Sequence, residues 1–102
     1  MTVEAFNKLV ASSSAVLIDF YTTWCGPCQV LEKNMKAIAP AWKDLVRFEK
    51  VDTEQNPAVA DAFQVHKLPT LILFRDGQPV DRYEGLISGQ DLDMRLRMNM
   101  MK

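Results

Sequence analysis

The sequence predicts an α/β fold: a central mixed sheet of four to five strands flanked by about four helices. Three observations carry this. Apolar runs at 15–21, 46–52 and 70–75 have strand length, and stretches at 3–11, from about 28, and at 89–100 repeat apolar residues at helical spacing. After a first helix the order is strand, helix, strand, helix, then two strands and a closing helix. Such an order makes parallel strands with helices on both faces, joined to an antiparallel hairpin.

Each element has its own signal. Val3, Phe6, Leu9 and Val10 recur at helical spacing behind Thr2, whose hydroxyl suits an N-cap. Ser12-Ser13-Ser14 reads as a loop. The apolar run at 15–21 fits a parallel strand buried on both faces. From about Cys28 the spacing is helical, with Val30, Leu31, Met35 and Ile38 inward. Pro40 is expected to kink or end that helix, because it lacks an N–H and crowds the preceding turn. Ala41 to Leu45 then make a further turn, and a strand returns at 46–52. Asn56 or Pro57 opens a short helix to about Phe63. Strands at 70–75 and 79–84 flank Asp76-Gly77, a hairpin signal. Ser88 with Asp91 resembles a capping box, Asp replacing the usual Glu, before the helix at 89–100.

At 102 residues the chain is expected to be one domain, 1–102, with a modest core. Twelve basic against thirteen acidic side chains give a net charge of −1, which points to neither nucleic acid nor an anionic membrane. The start, Met1-Thr2-Val3-Glu4-Ala5-Phe6, has no basic segment followed by a long apolar one, so no signal peptide is expected. The apolar runs are too short to span a bilayer. A cytoplasmic location follows as the expectation.

The chemistry concentrates in Trp24-Cys25-Gly26-Pro27-Cys28, and the chain has no other cysteine. Two cysteines two residues apart can close a disulfide on themselves and reopen it. At a strand-to-helix junction that pair is a redox device more often than a staple. Thiolate is the attacking species, and a helix N-terminus, with unpaired N–H groups and the positive end of the dipole, favours it. Pro27 suits the first helical turn, where its missing N–H has no partner to lose. Gly26 permits a tight approach to Pro27. Cys25 is therefore expected at an exposed tip as nucleophile, with Cys28 a turn further in as the resolving thiol. Two other readings stay open. A structural zinc site needs four ligands, and the chain offers two cysteines and His66, so no metal is expected. An inert disulfide is the other, although closing so small a ring removes little entropy from the unfolded chain.

The run from Asp19 to Cys28 resembles the active-site segment of the thioredoxin family. The likeness continues in order along nearly the whole chain: Phe48-Glu49-Lys50-Val51-Asp52, Gln55-Asn56-Pro57, Leu68-Pro69-Thr70, Phe74-Arg75-Asp76-Gly77 and Tyr83-Glu84-Gly85. The resemblance implies the thioredoxin fold, here lacking or shortening the usual first strand. It also implies a reducer of protein disulfides that needs no metal or organic cofactor, only the redox-active pair Cys25–Cys28. Its partners would be disulfide-containing proteins and a flavin- and NADPH-dependent thioredoxin reductase as electron donor, and a monomer is expected.

By the same resemblance Asp19 matches a buried carboxylate that accepts a proton from the resolving thiol, and Lys50 its buried lysine partner, although alternation along Phe48-Glu49-Lys50-Val51 equally allows Lys50 to face solvent. A carboxylate inside an apolar strand is costly to ionise, so its pKa should rise. Pro69 matches a cis-proline opposite the disulfide, and the backbone of Leu68 pairs with substrate as a short added strand. Trp24, Gly85 and Leu86 complete a flat apolar docking surface. His66 is expected to be a surface residue. Met94, Met98, Met100 and Met101 are expected to fill gaps in the core or to lie in a frayed tail. The chain departs from the family's pattern at Tyr21, where tryptophan is common, at Gln29, where lysine is common, and at Lys33-Asn34, where a proline usually kinks the helix. These departures bear on redox potential and partner choice. Two rivals remain: a disulfide oxidase or isomerase, and a non-catalytic subunit that clamps a partner with the same face.

Overall fold

Strand alternation sorts the apolar residues of this chain onto two sides of one sheet. The computed structural model describes residues 1–101. Its elements in order are α1 (Val3–Val10), β1 (Ala15–Tyr21), α2 (Gly26–Trp42), β2 (Arg47–Asp52), α3 (Pro57–Ala62), β3 (Thr70–Arg75), β4 (Gln78–Glu84) and α4 (Gly89–Met100). The sheet order is β2-β1-β3-β4. β1 runs parallel to β2, with Asp19 opposite Lys50, and antiparallel to β3, with Asp19 opposite Leu71. Asp76 and Gly77 join β3 to β4 with φ of 52° and 81°, the left-handed pair that a two-residue hairpin requires.

Val16, Ile18 and Phe20 bury one face of β1 with Phe6, Val10, Val59 and Phe74, so α1 and α3 cover that side. The Phe6 ring meets Phe20, Phe63 and Phe74 at centroid separations of 6.0, 4.9 and 5.6 Å. Ala15 and Leu17 bury the other face against Leu31, Met35 and Trp42 of α2 and Leu92 and Leu96 of α4. Asp19 continues that second row, since alternate residues share a face. The fold thus aims a carboxylate at α2.

Local signals worked as expected at the caps. Thr2 Oγ1 accepts from the Ala5 N–H at 2.9 Å, and Ser88 Oγ from the Asp91 N–H at 3.1 Å. Among the described residues no strand precedes α1, and the sheet has four strands. Three expectations are corrected. Pro40 does not end α2, which continues to Trp42. Burial of the Trp42 ring and its hydrogen bond to Asp93 Oδ1 at 2.7 Å hold the last turn in place. Val30 is exposed, because the inward stripe runs through Cys28, Leu31 and Met35 and position 30 falls beside it. Met94 and Met98 are exposed on the outer face of α4, while Met100 packs against the core.

Candidate active site

The pair Cys25–Cys28 sits where β1 hands over to α2. Gly26 and Pro27 open the helix, two residues earlier than the apolar spacing indicated. Cys25 is the N-cap, and its Sγ accepts a hydrogen bond from the Cys28 N–H at 3.2 Å. The two cysteines form a disulfide with Cα atoms 5.3 Å apart. The expected exposed tip is corrected: in the disulfide Cys25 is 7% exposed and Cys28 3%, so both are buried where β1 meets α2. Reduction would leave the Cys25 sulfur facing an N–H and the positive end of a seventeen-residue helix. Such a setting stabilises thiolate. A Cβ built on Gly26 would meet nothing within 4 Å, so sterics do not demand glycine there.

Asp19 is 1% exposed, and among the described residues its Oδ1 has no hydrogen-bond partner. Burial lifts its pKa to about 7; Lys50 pulls it down and Glu32 pushes it up. A cleft of about 280 Å³ brings Asp19 and Cys28 to one solvent-connected space, together with Tyr21, Thr22, Glu32 and Lys50. A carboxyl that titrates near neutrality beside a thiol has the chemistry of a proton acceptor.

The expected burial and pairing of Lys50 are corrected. Its side chain is 41% exposed and its ammonium bonds to Glu32 Oε1 at 2.8 Å, not to Asp19. It also lies 4.4 Å from the centre of the Tyr21 ring. The hydrogen bond from Lys50 holds the Glu32 carboxyl below its ordinary range, and Glu32 in turn raises the lysine. Register does set the Lys50 backbone opposite Asp19. Glu32 explains where the side chain ends, one helical turn beyond Cys28 on the same face of α2.

On the rim, the Leu68–Pro69 bond is cis, Pro69 is buried and Leu68 half-buried. The Gly85 N–H donates to the Pro69 carbonyl at 2.8 Å, and Gly85 has φ of 100°. Trp24 is 71% exposed, with its indole N–H donated to Glu54, and Leu86 is exposed as well. His66 is an exposed residue, as expected. Sequence reasoning missed Glu32, Thr22 and Glu54. Only Glu32 left a readable trace, its position four residues after Cys28. Among the described residues no cluster of three or more His, Cys, Asp or Glu side chains could hold a metal ion, and no helix is long and apolar enough to cross a membrane.

Comparison with known proteins agrees with this geometry. The thioredoxin family profile matches residues 1–98. Thioredoxin Y1, chloroplastic, of Arabidopsis thaliana is 40% identical over 96 residues, which cover 93% of this chain and 56% of that one. The chain therefore spans little more than half the length of the chloroplastic relatives it matches. The thioredoxin-like protein slr0233 of Synechocystis is 40% identical over 92 residues, 90% of this chain and 88% of that one. In three dimensions, oxidised mitochondrial thioredoxin 3 from Saccharomyces cerevisiae superposes with a TM-score of 0.85 at 31% identity, covering 94% of this chain and 89% of that one. A matching profile over nearly all of its length, a shared four-helix, mixed-sheet fold and a Cys-Gly-Pro-Cys disulfide at the N-terminus of α2 place this chain in the thioredoxin family.

Proposed function

We propose that this protein is a thiol–disulfide oxidoreductase that reduces disulfides in other proteins through Cys25 and Cys28. The observation that carries the reading is the N-cap geometry of Cys25, whose sulfur faces the Cys28 N–H at the start of α2. In the reduced protein Cys25 attacks a substrate disulfide as thiolate and forms a mixed disulfide, releasing one substrate sulfur. Cys28 then gives its proton to the Asp19 carboxylate and attacks Cys25 Sγ. The Cys25–Cys28 bond closes, and the second substrate sulfur leaves with the electron pair of the broken bond. Two electrons have passed to the substrate, and a thioredoxin reductase supplies two more to reduce the Cys25–Cys28 disulfide again.

Docking falls to the rim. Leu68 lies outside β3, so its backbone takes no part in the sheet and is free to pair with an extended substrate segment. Trp24, Gly85 and Leu86, with Pro69 behind them, supply apolar contact. The cytoplasm is the proposed location, where thiols are kept reduced.

Insulin reduction with dithiothreitol as donor tests the reading. Wild-type protein should accelerate it, Cys25→Ser should abolish the acceleration, and Cys28→Ser should accumulate mixed disulfides. Faster alkylation of Cys28 than of Cys25 at neutral pH would reverse the two roles. A double Cys→Ser variant that keeps its biological function would favour the non-catalytic clamp.

A further inference from the structure

Asp19 and Lys50 start as neighbours across the β1–β2 ladder, yet their charged groups part. The Lys50 side chain leaves the carboxylate and ends on Glu32 Oε1 at 2.8 Å, with the Tyr21 ring beneath it at 4.4 Å. The Lys36 ammonium lies 3.6 Å from the same Glu32 Oε1. Among the described residues Asp19 Oδ1 is left buried without a hydrogen-bond partner, in the cleft it shares with Cys28. We propose that Glu32 is a positioning residue for the resolution step: by holding the Lys50 ammonium at the mouth of the cleft, it keeps that cation off Asp19, so that the carboxylate facing Cys28 remains available for the thiol proton. The proposal rests on the reading of Asp19 as the base in that step.

Every charged neighbour of Asp19 enters the argument. On β1 there is Tyr21, on β2 Glu49 and Lys50, and on α2 Cys28, Glu32 and Lys36; β3 presents apolar Leu71. Glu49 is occupied by Arg47 at 2.7 Å, leaving Lys50 as the cation within reach of Asp19 by register. A lysine ammonium on a buried carboxylate stabilises its charged form and weakens it as a base. Glu32 removes that partner, and its own negative charge adds to the effect. The Asp19 pKa of about 7 is raised mainly by burial, drawn down by Lys50 acting from where Glu32 holds it, and raised further by Glu32, which accords with a cation near the carboxyl but not bound to it.

The test is a carboxyl ¹³C titration of Asp19 in the oxidised protein, paired with the pH profile of mixed-disulfide resolution. Glu32→Gln should free Lys50 to reach Asp19 and lower the Asp19 midpoint by about one pH unit or more. The resolution profile should move to lower pH with it. Glu32→Asp, which keeps a carboxylate for the lysine, should retain the wild-type midpoint. In a Lys50→Met background the Glu32→Gln shift should shrink to the smaller part that comes from loss of the Glu32 charge itself. An unchanged midpoint in Glu32→Gln overturns the proposal, as does an equal fall in Glu32→Asp or a shift that is undiminished in Lys50→Met. If Asp19→Asn leaves resolution unslowed, the base role itself fails, while the titration still reads the effect of Glu32 separately.

Discussion

Asn34 Nδ2 on α2 donates to the carbonyl of Ile87 at 3.0 Å, tying the active-site helix to the loop that carries Gly85 and Leu86. The helices come close here: a Cβ on Gly89 would lie 3.2 Å from the Asn34 carbonyl oxygen. A side-chain hydrogen bond thus fixes α2 to that loop. Asn34→Ala leaves a half-buried carbonyl without that partner, a loss of roughly 1–3 kcal/mol. Denaturant unfolding should show it, and amide exchange at residues 85–87 should quicken. Unchanged exchange there would show that the loop is held by other contacts.

The second prediction concerns Asp19 and pH. Its folded-state pKa is about 7 against 3.8 for the free group, so the folded protein keeps its proton while the unfolded chain has lost it. Between those values the unfolded state binds fewer protons and stability falls as pH rises. Below pH 4 both states are protonated and no penalty exists; above 7 the penalty is complete, on the order of 4 kcal/mol. Asp19→Asn should therefore stabilise the oxidised protein at pH 8, with the gain fading toward pH 4. Denaturant midpoints at the two pH values decide this, and a gain independent of pH would mean that ionisation of Asp19 is not its source.

Thr22 supplies a contrasting case on the same cleft. Its hydroxyl is buried and has no hydrogen-bond partner among the described residues. Replacing an unsatisfied hydroxyl by a methyl of the same shape is nearly neutral or favourable. Thr22→Val should leave the thermal midpoint unchanged or raise it by a few degrees. A clear loss of stability would mean that the hydroxyl has a partner in solution.

Strand and hairpin positions were legible because their signals are local. The alternation in β1, the Asp76-Gly77 turn and the caps at Thr2 and Ser88 each depend on residues a few positions apart. What escaped was decided across the fold. Pro40 ought to stop a helix on local grounds, but Trp42 docks against Asp93, 51 residues away, and carries the helix through. Lys50 sat in the right register for Asp19, and Glu32 on another element claimed it. Exposure of Met94 and Met98 depends on which face of α4 meets α2, and a methionine-rich segment with weak polar alternation does not declare that face. In the site itself, the cysteine pair and the buried carboxylate could be read from sequence, whereas their charged surroundings could not.

Gly85 links the rim to the cis-proline loop through its N–H bond to Pro69. Its φ of 100° lies in a region that residues with a Cβ rarely adopt. Gly85→Ala should cost about 1–3 kcal/mol, chiefly through that conformation, since the nearest atom to the added carbon is the Lys67 Cε at 3.9 Å. Unfolding midpoints measure the cost, and retention of full stability would show that the loop relaxes to accommodate the side chain.

Trp24 offers a way to separate docking from chemistry. Its side chain is 71% exposed and adds little to the core, yet it stands next to Cys25 and is held in place by Glu54. A large, fixed, exposed aromatic ring is the kind of group that dominates contact with a protein partner. Trp24→Ala should therefore leave the unfolding free energy nearly unchanged. Loss of one such anchor, at about 1.4 kcal/mol or more, should raise KM for a protein disulfide roughly tenfold. A small aromatic disulfide that needs only the thiolate should react with Cys25 at the wild-type rate, since the Cys28 N–H and the helix terminus are untouched. Equal slowing of both substrates would place the influence of Trp24 on the sulfur itself, and the docking surface would then have to be carried by Leu68, Gly85 and Leu86 without it.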